Sequence, residues 1–84
     1  MPKGSATTTA TLVGRNIRSA RTAASMTQRE LGAAIDADPQ LISKWERGEH
    51  EPSPTARIRL AMVLFGGDVS RLYRDHERDD REAA

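Results

Sequence analysis

Gln40, Ser43, Lys44 and Arg47 place an amide, a hydroxyl and two cations within a short stretch of chain. At 3.6 residues per turn these four share one side of a helix, and Ile42 and Trp45 share the other. Such a side has no acid–base or nucleophilic pair to catalyse anything. It does carry recognition chemistry. A glutamine amide can pair bidentately with adenine, and lysine or arginine can contact guanine, on the floor of the major groove of duplex DNA. Gln40, Ser43 and Lys44 are therefore the candidate base readers, and the competing reading is a plain solvated face. Leu41, at the flank of the apolar side, is either half-buried or placed to meet a thymine methyl group. Trp45 lies inward with Ile42 and reads as core, because a base-stacking tryptophan belongs on the outer side.

The elements that must position this face are marked by their ends. Asp38 is a good N-cap, and Pro39 sits at the first helical position, where a missing N–H costs nothing. Gly48 readily takes the left-handed conformation that closes a helix. Upstream, Thr27 and Glu30 have capping-box spacing, and Leu31, Ala34 and Ile35 follow on one apolar face. Asp36-Ala37 makes the turn between. Two short helices joined by a tight turn, the second polar on its outer side, form a helix-turn-helix. The strings MTQRELGAAI and SKWERG resemble the Cro/repressor-type (XRE-like) helix-turn-helix family, over roughly Leu12 to Tyr73. The resemblance implies an all-α, compact five-helix domain of the phage-repressor type. It also implies a sequence-specific regulator of transcription, a repressor, that binds double-stranded DNA and reads the major groove with residues 39–47.

The resemblance carries further residues. Gln28 matches a family glutamine that donates to a DNA phosphate and braces the start of the recognition helix. A good helix former in a first turn is the alternative. Arg47 and the Gly48 backbone are expected to meet phosphate as the chain leaves the helix, although a cation at a helix C-terminus is favoured by the macrodipole as well. Arg21 and Glu46 match a family pair that forms a partly buried salt bridge between helices. Three positions depart from the pattern. Asp36 stands where relatives usually have glycine, and aspartate tolerates the left-handed region. Pro39 replaces a polar base reader, which leaves more of the readout to Gln40. Glu49, His50 and Glu51 replace the basic residues of the following loop, where negative charge repels a phosphate backbone.

The other segments fall into place around this pair. Residues 1–10 are small, polar and aperiodic, and read as a flexible arm with Lys3 as its one charge. The domain is expected over residues 11–74. Its first helix spans Thr11 to Ala24, with Val13, Ile17, Ala20 and Ala24 inward and Thr9 or Thr11 as the cap. Met26 fills a core gap. Ser53-Pro54 starts a fourth helix that runs to Phe65, with Ile58, Ala61, Met62 and Phe65 on its inner side. Gly66-Gly67 stops it, and Asp68 caps a fifth carrying Val69, Leu72 and Tyr73. Residues 75–84 are polar and read as a frayed tail.

Eighty-four residues hold one small core. No cysteine is present, so neither a disulfide nor a thiolate metal site can form, and His50 and His76 lie far apart. No metal, cofactor or enzymatic activity is expected. No apolar run approaches membrane length and no signal-peptide core is evident, so a cytoplasmic protein without a membrane partner is expected. The net charge is only +1, but it is uneven. Lys3, Arg15, Arg18, Arg21 and Arg29 give the first 29 residues +5, whereas eight acids against six arginines give the chain from Glu49 onward −2. One basic side suits a protein that faces DNA with that side only. A homodimer on a palindromic operator is expected, because one recognition helix buries little surface. By analogy with the family, Val69, Leu72 and Tyr73 would form its contact. The alternative is that all three seal the core. Two rival uses are an antitoxin with a toxin as its partner, and a protein-interaction module of the same fold.

Overall fold

The structure is a computed structural model, and it describes residues 8–75. Four α-helices are present: α1 over Thr9–Ala23, α2 over Gln28–Ile35, α3 over Pro39–Glu46 and α4 over Pro54–Leu64. A 3-10 helix over Val69–Tyr73 follows. No strand occurs among the described residues. The all-α expectation holds, with the fifth helical element a 3-10 turn rather than an α-helix. Most of the expected arm (residues 1–7) and nearly all of the expected tail (residues 76–84) lie outside the described residues.

Local chemistry explains most of the boundaries. The Thr27 hydroxyl accepts from the Glu30 N–H at 3.0 Å, and the Glu30 carboxylate accepts from the Thr27 N–H at 2.9 Å. This closes the capping box at the start of α2. The Asp38 carboxylate accepts from the Gln40 N–H, and the Ser53 hydroxyl from the Ala56 N–H, each ahead of a proline. Asp36 ends α2 in the left-handed region, at φ 61°. Gly48 takes φ 78° after α3. There its N–H reaches the Trp45 carbonyl and the Glu49 N–H the Lys44 carbonyl, so the last turn is closed by a Schellman pair. α1 begins earlier than expected. Thr8, not Thr9 or Thr11, is its cap, its hydroxyl accepting from the Thr11 N–H. A run of three threonines offers several cap registers, and nothing local selects one.

Val13, Ile17, Leu31, Ile35, Ile42, Trp45, Leu60, Phe65 and Leu72 form the core. α1 packs on α3 and on the 3-10 helix, α2 on α3 and α4, and α4 on the 3-10 helix. The inner side of α4 differs from the expected one. Leu60, Ala61 and Phe65 are buried, but Ile58 is 54% exposed and Met62 68%. The helix is apolar around most of its girth, so periodicity does not choose a side. Ala24, expected inward, is exposed. Leu72 is fully buried, with Val69 and Tyr73 half-buried against the same core.

Two residues of α1 with no local signature in the sequence, Asn16 and Gly14, set the packing. Asn16 is 3% exposed on the apolar side of α1. Its side-chain amide donates to the Leu72 carbonyl at 2.7 Å and the Arg74 carbonyl at 2.8 Å. It thereby satisfies carbonyls that the short 3-10 helix leaves open, a hydrogen-bonding need no buried group can forgo. Gly14 lets α1 cross the end of α3 almost backbone to backbone: a Cβ there would stand 2.1 Å from the Trp45 carbonyl oxygen.

This contact makes a signed prediction. In an open helix, glycine to alanine stabilises by about 1 kcal/mol. Gly14→Ala should instead destabilise the domain by about 1–3 kcal/mol or more, because the methyl must push two helices apart. Urea denaturation checks it, and a midpoint that stays or rises would contradict the close crossing.

Candidate nucleic-acid interface

α1, α2 and α3 meet at one carboxylate. The Arg21 guanidinium at the end of α1 donates to Glu46 at the end of α3 through Nε at 2.6 Å and Nη2 at 3.1 Å. Its third arm, Nη1, donates to the Met26 carbonyl at 2.7 Å, tying down the link to α2. From the first turn of α2, the Gln28 amide donates to the same carboxylate at 3.1 Å. The Glu46 side chain is 4% exposed and that of Arg21 13%. The hydrogen bond from Arg21 to Glu46 raises the guanidinium above its ordinary pKa, against the opposing effect of burial. The arrangement fixes the C-terminal end of α3 to both preceding helices.

The outer side of α3, which begins beside this junction, carries the polar residues. Gln40, Lys44 and Arg47 are exposed and Ser43 is half-buried. Leu41 is 39% exposed beside them. The structure divides the neighbours of α3 in two. On one flank, Gln28, Ser43 and Arg47 line a shallow cleft together with Arg18, Arg21 and Glu46. On the other, Lys44 and Leu41 line a cleft with Asp36, Asp38, His50 and Glu51. Gln40 projects from the first turn of α3 between these flanks, one turn before Ser43 and Lys44. The first cleft has three arginines against one carboxylate, and the second has three carboxylates against Lys44 and Arg59.

Arg18 was not among the residues singled out from sequence. It lies one turn before Arg21, so the same helical spacing that places Arg21 at the junction places Arg18 at the rim of its cleft. Arg47 is held within its own segment. Its guanidinium donates to Glu49 through Nε at 2.7 Å and Nη2 at 3.3 Å, and through Nη1 to the Ser43 hydroxyl. The hydrogen bond from Arg47, with the charges of Arg47 and Lys44, holds the Glu49 carboxyl below its usual range. Glu51 turns the other way, 3.6 Å from Arg57 on α4. Gly48 is half-buried, and a Cβ on it would meet Thr11 on α1 at 3.1–3.5 Å. Among the described residues no group of three or more histidine, cysteine or carboxylate side chains is placed to hold a metal ion, and no helix is long and apolar enough to cross a membrane.

A helix-turn-helix family model matches residues 17–66, more than half of the chain and all of α2 and α3. The chain belongs to the Cro/repressor-type (XRE-like) helix-turn-helix family. It is 32% identical over 66 residues to the HTH-type transcriptional regulator DicA of Escherichia coli (strain K12), an alignment covering 79% of this chain and 49% of DicA. The chain thus spans about half the length of that relative. It also superposes on the crystal structure of apo-HppE with a TM-score of 0.70 at 26% identity, over 80% of this chain and 37% of that one. Within this helix-turn-helix chain, α2 and α3 are the paired helices, and the Arg21–Glu46 bridge locks the second of them to α1.

Arg21→Ala should be costly, because it leaves a nearly buried carboxylate with only the Gln28 amide. Stripping one partner from a buried pair costs about 3–5 kcal/mol, whereas an exposed pair is worth only about 0–1 kcal/mol. The expected loss in chemical denaturation is near 3 kcal/mol. A loss below about 1 kcal/mol would mean that solvent screens the pair as it screens surface pairs.

Proposed function

We propose that this chain is a sequence-specific, duplex-DNA-binding regulator of transcription that acts as a repressor and reads the major groove with α3. The observation that carries the reading is the outer side of α3, where Gln40, Lys44 and Arg47 are exposed beside a cleft lined by Arg18, Gln28 and Ser43. Gln40, Ser43 and Lys44 supply the base contacts. Gln28 and Arg47 take the phosphates that fix register; the Gly48 N–H, expected to join them, is given instead to the Trp45 carbonyl. The first-turn N–H groups of α2 lie beside Gln28 and favour an anion there. The name of DicA, a transcriptional regulator, supports the same class of activity. The protein works in the cytoplasm, where its operator is.

Gln40→Ala tests the reading of bases. It should cost about 1–3 kcal/mol on a duplex selected from a random pool and relax preference at one position, with little change on random duplex. Equal weakening on every sequence would make Gln40 a positioning residue.

The regulator binds as a homodimer on a palindromic operator, with two copies of α3 one DNA turn apart. Leu72 has no surface to offer a second subunit, so the contact rests on the half-buried Val69 and Tyr73. Tyr73→Asp should lower the mass seen in sedimentation and weaken operator binding while the helical circular-dichroism signal persists. Ile58 and Met62, one turn apart, make an exposed apolar stripe on α4, with Val63 exposed farther round the helix. That stripe favours an alternative use as a protein-binding module, with a toxin among the candidate partners. If Met62→Glu yields monomers and Tyr73→Asp does not, the subunit contact lies on α4.

A further inference from the structure

Arg47 is the cation that closes the outer side of α3, one turn after Lys44, and it is already occupied. Glu49 presents two carboxylate oxygens to Nε and Nη2 of its guanidinium, in the side-on geometry with which arginine grips a phosphate. The third arm, Nη1, is taken by Ser43, one of the candidate base readers. Both members of the pair are about half exposed, with side-chain exposures of 55% and 49%. The pair therefore forms and breaks in solvent at little cost. A DNA phosphate approaching this point meets a fork that is filled and a carboxylate of its own sign.

Taking the DNA-binding reading above as its basis, we propose that Glu49 is an intramolecular stand-in for phosphate that competes with the DNA backbone for Arg47 and so sets the affinity and salt dependence of the protein. The competition is local. Glu51 is only two residues away, yet it faces Arg57 on α4 and leaves Arg47 alone. The device also bears on Ser43. When Arg47 turns to a phosphate, the Ser43 hydroxyl loses its donor and becomes available for a base edge, so phosphate capture and base readout are engaged together.

Glu49→Gln empties one side of this competition without removing Arg47. Against random-sequence duplex, the variant should bind about five-fold tighter than wild type, the upper range of what an exposed pair withholds. The slope of log affinity against log salt should steepen by about 0.9, the equivalent of one further phosphate neutralised. Glu51→Gln should change neither quantity appreciably, and in an Arg47→Gln background the Glu49→Gln change should be nearly silent. An unchanged slope for Glu49→Gln overturns the proposal. So does a full gain that persists without Arg47, because Glu49 would then act through its general field. If neither wild type nor variant is retained by duplex DNA at low salt, the DNA-binding reading fails and the proposal falls with it. Thermal melting of each variant separates these outcomes from loss of fold, since both positions are solvent-exposed and melting should be unaltered.

Discussion

Glu46 is the point on which the arrangement of helices depends. A carboxylate 4% exposed is tolerable only when it is paired and hydrogen-bonded, and Arg21 and Gln28 together supply those bonds. The requirement is mutual. Glu46 needs donors from α1 and α2, and both helices are held in place by giving them. Arg21 adds a bond to the Met26 carbonyl, so the linker between α1 and α2 is fixed by the same guanidinium. α3 is only eight residues long, too short to persist on its own. Its inner side, Ile42 and Trp45, gives it a core to lie on, and Glu46 fixes its direction.

The same constraint separates packed from exposed residues along α3. Inward residues fill the core, the flank toward α1 and α2 carries the ion pair, and the remaining side is left for polar groups that the fold does not use. Gly14 brings α1 against the carbonyls at the end of α3, and Asn16 anchors the 3-10 helix to the other end of that contact. α2, α3 and the 3-10 helix are thus held by a few residues of α1, whose exposed Arg18 stands at the rim of the cleft.

What could be read from sequence follows from the range over which each residue acts. Thr27 with Glu30, Asp38 with Pro39, Ser53 with Pro54, and Asp68 all work within three residues, and their caps were legible. The side of α4 was not, because Ile58, Leu60, Ala61, Met62, Val63, Leu64 and Phe65 present apolar surface in nearly every direction. Tertiary packing alone leaves Ile58 and Met62 outside. Asn16 and Gly14 act on partners far along the chain, and only a polar residue on an otherwise apolar stripe hinted at the first. Arg18 was passed over because its importance depends on where Arg21 goes. Of the candidate interface, the outward polar side of α3 was legible from helical spacing. The Arg47–Glu49 pair was not, since two residues apart in sequence says nothing about how a chain turns after a glycine at φ 78°.

Charge is distributed so that the cations of α1 flank one side of α3 and the acids of the turn and loop flank the other. A phosphate backbone would lie along the first and avoid the second, which would orient the protein on a duplex. On the proposed reading, α3 with the start of α2 is the surface that meets DNA. Amide chemical shifts of the isotopically labelled protein, followed while duplex DNA is added, test it most directly. The expected result is that perturbations concentrate on Gln28, Arg29 and residues 40–48, with α4 nearly silent. Perturbations confined to Ile58, Met62 and Val63, or none at low salt, would contradict it.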